Sequence, residues 1–112
     1  MEIEQTTIDD VSVLEIHGSI LGGREVRPLV TRLAELARAG KYKVVLDLAD
    51  VNWVNLAGLG TLIGAFAMMR NHKGALRLAR ATGHVQELLA STNTVDILQH
   101  YGSVQDAVTS FK

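Results

Sequence analysis

Val51-Asn52-Trp53-Val54-Asn55-Leu56-Ala57-Gly58-Leu59-Gly60-Thr61 decides the reading of this chain, because an apolar run predicted as a buried strand passes there into a predicted helix. A glycine-rich turn from strand to helix exposes unpaired backbone N–H groups beside a main chain that a ligand or partner can approach closely. Such turns commonly carry chemistry. From Val54 to Gly60, however, no hydroxyl and no acid occurs, so the turn has the shape of a reactive site without its reactive groups.

Upstream, Lys43-Val44-Val45-Leu46-Asp47-Leu48 is an almost continuous apolar run, the pattern of a central strand covered on both faces. Downstream, Leu59, Leu62, Ile63, Phe66 and Met69 recur at helical spacing, and Asn71-His72-Lys73-Gly74 closes that helix. The other side of the helix is small: Ala57, Gly60 or Thr61, and Gly64. Glycine inside a helix costs about 1 kcal/mol relative to alanine, so these residues answer a packing need. Either a partner's backbone approaches them or the protein's own sheet and loops do.

Working outward, Glu2 to Ile8 and Val11 to His17 alternate as two strands joined by a hairpin at Asp9-Asp10. Gly18 to Gly23 reads as a loop. Val26, Leu29, Val30, Leu33, Leu36 and Ala37 define one face of a helix over Glu25–Ala39, with Pro28 in its first turn and Gly40 at its end. Ala75–Ala79 alternates as a strand, Gly83 opens a loop, and Val85–Leu89 forms a short helix. Val95–Leu98 is expected to be extended, and Ser103 to cap a C-terminal helix. An initial hairpin followed by alternating helices and strands predicts one mixed sheet with helices packed on it, α/β or α+β in class.

Composition removes several function classes. At 112 residues the chain suffices for one core and reads as a single domain over residues 1–112. A net charge of −1 gives no electrostatic case for binding nucleic acid. With no cysteine, disulfide frameworks, thiol nucleophiles and cysteine-ligated zinc are excluded. Met1-Glu2-Ile3-Glu4 lacks the basic start of a secretory signal, and the weakly charged stretch from Val51 to Met69 is too polar and glycine-interrupted for a membrane span. A soluble, cytoplasmic protein is expected.

The sites that spacing can name are few. His17, His72, His84 and His100 form no i, i+4 pair, so no metal site is expected. No serine–histidine–acid set, Walker loop or dinucleotide fingerprint occurs, so neither an enzyme nor a cofactor is expected. Thr61 reads as a helical threonine bonded to a preceding carbonyl rather than a phosphate acceptor. The area Trp53 can bury predicts that it caps the sheet end, whereas an exposed indole would read as an interface anchor. Arg77 and Arg80 are weak candidates for an acidic partner.

In order and separation, Leu14-Glu15-Ile16-His17-Gly18-Ser19-Ile20, Val44-Val45-Leu46-Asp47-Leu48, Gly58-Leu59-Gly60 and Leu76-Arg77-Leu78 resemble the STAS domains, named for sulfate transporters and anti-sigma factor antagonists. The resemblance spans nearly the whole chain. It implies an α/β domain with a mixed sheet of four to five strands and about four helices. In typical antagonists the turn reads Asp-Ser-Ser/Thr-Gly-Leu-Gly, and the second hydroxyl residue is phosphorylated by a kinase that is itself the anti-sigma factor. The matching residues are Asn55, Leu56 and Ala57, followed by the retained Gly58, Leu59 and Gly60. The phosphoacceptor position is therefore Ala57, which has no oxygen to phosphorylate. Many members also carry an aspartate just after the strand-two glycine, where this chain has Leu21.

What the resemblance implies is thus a non-enzymatic signalling regulator whose turn binds a partner without being switched. The implied partner is a serine-kinase anti-sigma factor or a related protein, met by Leu21, Asn55, Leu56, Ala57, Gly58, Gly60, Thr61 and Gly64. Two other roles fit the same fold: a cytoplasmic subunit of an ABC-type lipid transporter, and a non-phosphorylated scaffold in a signalling assembly.

Overall fold

Alternation at the N-terminus becomes an antiparallel hairpin, β1 (Glu2–Ile8) and β2 (Val11–Ile20), in a computed structural model that describes residues 1–94 and 97–112. A single 3-10 turn (Gly23–Val26) leads into α1 (Arg27–Arg38), and then follow β3 (Lys43–Val54), α2 (Leu56–Asn71), β4 (Ala75–Ala79), α3 (Gly83–Ser91), β5 (His100–Tyr101) and α4 (Val104–Thr109). The sheet order is β1-β2-β3-β4-β5, with β2 through β5 parallel to one another. This is the expected mixed α/β sheet, with five strands and four α-helices among the described residues.

Strand parity sorts the core into two layers. Leu14, Ile16, Leu46, Leu48, Leu76 and Leu78 face α1, α2 and α3, meeting Leu29, Leu33, Leu62, Met69 and Leu89. On the other side Val11, Val13, Val45 and Ala79 pack on Ala107 and Val108 of α4. Helix α4 is only six residues long, so the part of that face beyond it stays polar. Ser103 caps α4 as expected, its hydroxyl accepting from the Asp106 N–H at 3.0 Å.

Four expectations about the chain's course change. Gly18–Ile20 is strand rather than loop, because β3 runs on to Val54 and pairs with it, Gly18 with Val51 and Ile20 with Val54. The first α-helix begins at Arg27 rather than Glu25, after the 3-10 turn over Gly23–Val26. Gly83 lies within α3 rather than in a loop. Val95 and Asp96 of the expected extended segment fall outside the described residues; Ile97 and Leu98 form a turn and a bend, and the edge strand is His100–Tyr101.

Two charged groups are used internally. Arg80, a weak candidate for meeting an acidic partner, forks onto buried Asp47, Nε donating to Oδ1 at 3.0 Å and Nη2 to Oδ2 at 2.5 Å. Arg77 lies over the Phe111 ring at 4.3 Å.

His100 anchors the edge strand by accepting the Ala81 N–H on Nε2 at 2.9 Å, and burial lowers its pKa. The unfolded chain then holds the proton more tightly than the folded one. The contribution of His100 is therefore complete above about pH 6.5 and is lost as pH falls towards its depressed folded value. Urea unfolding from pH 7.5 to 5.5 should show the wild type losing more stability than His100→Gln. The comparison is needed because His17, whose pKa is raised by its hydrogen bond to Asp50, acts in the opposite direction.

Candidate functional site

The turn is built by an N-cap. Asn55 has extended backbone (φ −95, ψ 178), and its side-chain oxygen accepts the Gly58 N–H at 2.7 Å, starting α2 at Leu56. Its own N–H donates to the Ile20 carbonyl at 3.3 Å, tying the turn to the end of β2. Asn55 is thus occupied in positioning the helix. Gly58 lies buried against that same strand end, and a Cβ there would overlap the Ile20 carbonyl oxygen. Of the expected contact residues, Gly58 therefore sets how closely α2 approaches β2 and presents no surface of its own. Leu59 is likewise core, 4% exposed.

What the turn offers outward is apolar. Leu56 is 69% exposed, the highest value among the exposed large hydrophobics of the described residues, and Ala57 beside it is exposed as well. Gly22, at φ +82, packs directly on Ala57; a Cβ built at Gly22 would lie 2.7 Å from the Ala57 Cβ. That contact brings the half-buried Leu21 of the β2–α1 connection to the same corner as Leu56 and Ala57. Sequence-distant Gly22 and Ala57 are therefore in contact, with Leu21 next to Gly22 in the chain.

Along α2 the open side continues with Gly60, Gly64 and Ala67, all exposed and with no charged residue before Arg70. A Cβ added at Gly60 or Gly64 would meet nothing within 4 Å. For Gly60 and Gly64, packing against the protein's own sheet or loops is thus removed, whereas Ala57 does meet the protein's own Gly22. Thr61 donates its hydroxyl to the Ala57 carbonyl at 3.2 Å, as expected of a helical threonine. Thr61 and Gly64 also border an apolar groove of about 400 Å³ between α1 and α2, completed by Val30, Leu33, Ala65 and Met68.

Trp53 departs from expectation. It is 52% exposed and stacks on His84 of α3, with ring centroids 4.1 Å apart and planes 7° from parallel. The β3 register explains this: Val51 and Val54 take the buried positions at the strand end, leaving Asn52 and Trp53 outside. His84 gave no signal in the sequence, because its partner is set by where α3 starts.

The sequence profile of the STAS domain matches residues 2–107. The chain belongs to the STAS domain family. It is 25% identical over 112 residues to a candidate anti-sigma factor antagonist, BtrV, of Bordetella bronchiseptica, spanning 100% of this chain and 96% of that one. Among solved structures it resembles a candidate anti-sigma factor antagonist of Thermotoga maritima, with TM-score 0.84 and 22% identity over 96% of this chain and 92% of the other. It also resembles the Bacillus cell-fate determinant SpoIIAA in its phosphorylated form, with TM-score 0.74 and 9% identity over 99% and 100% of the two chains. The STAS fold is thus shared with anti-sigma factor antagonists. No helix among the described residues is long and apolar enough to cross a membrane.

Proposed function

We propose that this STAS domain is a non-enzymatic signalling regulator of the anti-sigma factor antagonist type. It binds a kinase-type anti-sigma factor, or a related regulatory protein, through the 55–64 turn and helix, and it is not phosphorylated at Ala57. The contact residues are Leu21, Leu56, Ala57, Gly60, Thr61 and Gly64, with Asn55 and Gly58 holding the turn in place. One observation carries the reading: the exposed side of α2 is small and apolar, with Leu56 at its head, where a solvated helix face would be charged.

The absence of a switch follows from chemistry. A phosphate of about −1.5 to −2 charge at this helix N-terminus would set new charge-assisted bonds or repel a docked surface. Ala57 offers no oxygen for it, and the neighbouring Thr61 hydroxyl is bonded to the Ala57 carbonyl. Binding is then governed by the amounts of the partners rather than by covalent state. Affinity capture with this chain from its native host should recover a kinase-like anti-sigma factor; recovery of a transporter ATPase and permease instead would overturn the proposal.

A further inference from the structure

His17 holds an unusual position on the polar part of the α4 face. Its Nδ1 is 2.6 Å from Asp50 Oδ2 on β3, which fixes the ring and places the Nδ1 proton in that bond. The opposite nitrogen, Nε2, has under 1 Å² of accessible surface and no hydrogen-bond partner. It faces two carboxylate oxygens, Glu15 Oε1 at 3.5 Å on its own strand and Glu4 Oε1 at 3.7 Å on β1. Glu4 and Glu15 are themselves directly paired across the hairpin, and like charges so placed destabilise a sheet. A ring nitrogen and two carboxylates thus converge on one point, where an ion would take the place of the Nε2 proton.

From this arrangement we infer a divalent transition-metal site, of the zinc class, made by His17 Nε2, Glu4 and Glu15. The three ligand atoms lie within 4.8 Å of one another. Zinc bonds of about 2.0–2.2 Å to nitrogen and oxygen at a tetrahedral angle put neighbouring ligand atoms about 3.4 Å apart, close to the two His17 distances. Asp50 supplies the carboxylate that orients a metal-bound imidazole and raises its basicity. Glu4 is 71% exposed, so the ion has an open approach and keeps a position for water. One histidine with oxygen ligands selects zinc or its neighbours over magnesium or calcium, which take oxygen alone. Bound there, the ion ties edge strand β1 to β2 and, through Asp50, to β3. The site is independent of the docking helix, which packs on the other side of the sheet.

Calorimetric titration of the full chain with Zn²⁺ tests this, alongside NMR of the imidazole nitrogens. One saturable equivalent is expected, with His17 Nε2 showing the shift of a metal-bound nitrogen and Tm rising with Zn²⁺ concentration. Glu4→Gln, at an exposed position that leaves folding intact, should weaken binding at least about tenfold, and Asp50→Asn by about tenfold. His17→Gln should abolish it. No saturable binding, or binding that Glu4→Gln and His17→Gln leave unchanged, would overturn the assignment.

Discussion

Replacing Gly58 with alanine should destabilise this protein by at least about 3 kcal/mol and lower its Tm by about 10–20 °C. The added Cβ would overlap the Ile20 carbonyl oxygen and lie 2.7 Å from the carbonyl carbon, both main-chain atoms at the end of β2. A side chain could rotate away, but this backbone is fixed by the Gly18–Val51 and Ile20–Val54 pairing and by the Asn55 N–H bond to Ile20. Relief therefore requires α2 to move off the sheet, opening the contacts of Leu59 and Leu62. Gly60 provides the internal control. An alanine there meets nothing and improves helix propensity, so Gly60→Ala should be neutral or stabilising by up to about 1 kcal/mol. Chemical denaturation of both variants checks the contrast; equal effects would mean that α2 does not sit against β2 as described.

Leu56→Asp should weaken binding to the captured partner by about 100-fold while leaving stability within about 0.5 kcal/mol of the wild type. The asymmetry follows from where Leu56 lies. Its side chain is mostly in water and contributes little to the core, and aspartate in the first turn of a helix suits the positive end of the helix dipole. Loss of affinity without loss of stability would thus report a direct contact. A desolvated leucine exchanged for a carboxylate removes apolar burial and leaves a charge in the interface, which together give hot-spot magnitudes. Calorimetry with the partner and a parallel melt separate the two quantities. Unchanged affinity would place docking elsewhere on the domain.

How much of this was legible beforehand depended on whether a feature was local. The strands β1, β3 and β4 and the helical faces of α1 and α2 appear in the spacing of apolar residues, because each needs one covered face. The resemblance of the glycine turn and its flanking strands to STAS domains carried the fold class and the position of Ala57. What spacing could not show arises from pairing. Gly18–Ile20 looks like a loop until β3 is seen to extend alongside it, and β5 is too short to alternate.

The site was partly legible for the same reason. Leu56 and Ala57 stand where the turn suggested, exposed at the head of α2. Gly58 and Asn55 were read as contacts, yet one is packed against Ile20 and the other caps the helix. A search for helical i, i+4 histidines passes over His17, whose neighbours Glu4, Glu15 and Asp50 are assembled by strand register. Trp53 faces outward because Val51 and Val54 occupy the buried positions beside it, and Arg80 is committed to Asp47 33 positions away.

The central claim is that this turn recognises a partner without being switched by phosphate. Its most direct test is to form the complex with the captured kinase-type partner, add ATP and Mg²⁺, and follow both the complex and the intact mass of this chain. The account predicts that the complex persists and that the chain gains no covalent phosphate. Release driven by ATP, accompanied by a phosphate on Thr61 or any other residue of this chain, would contradict it.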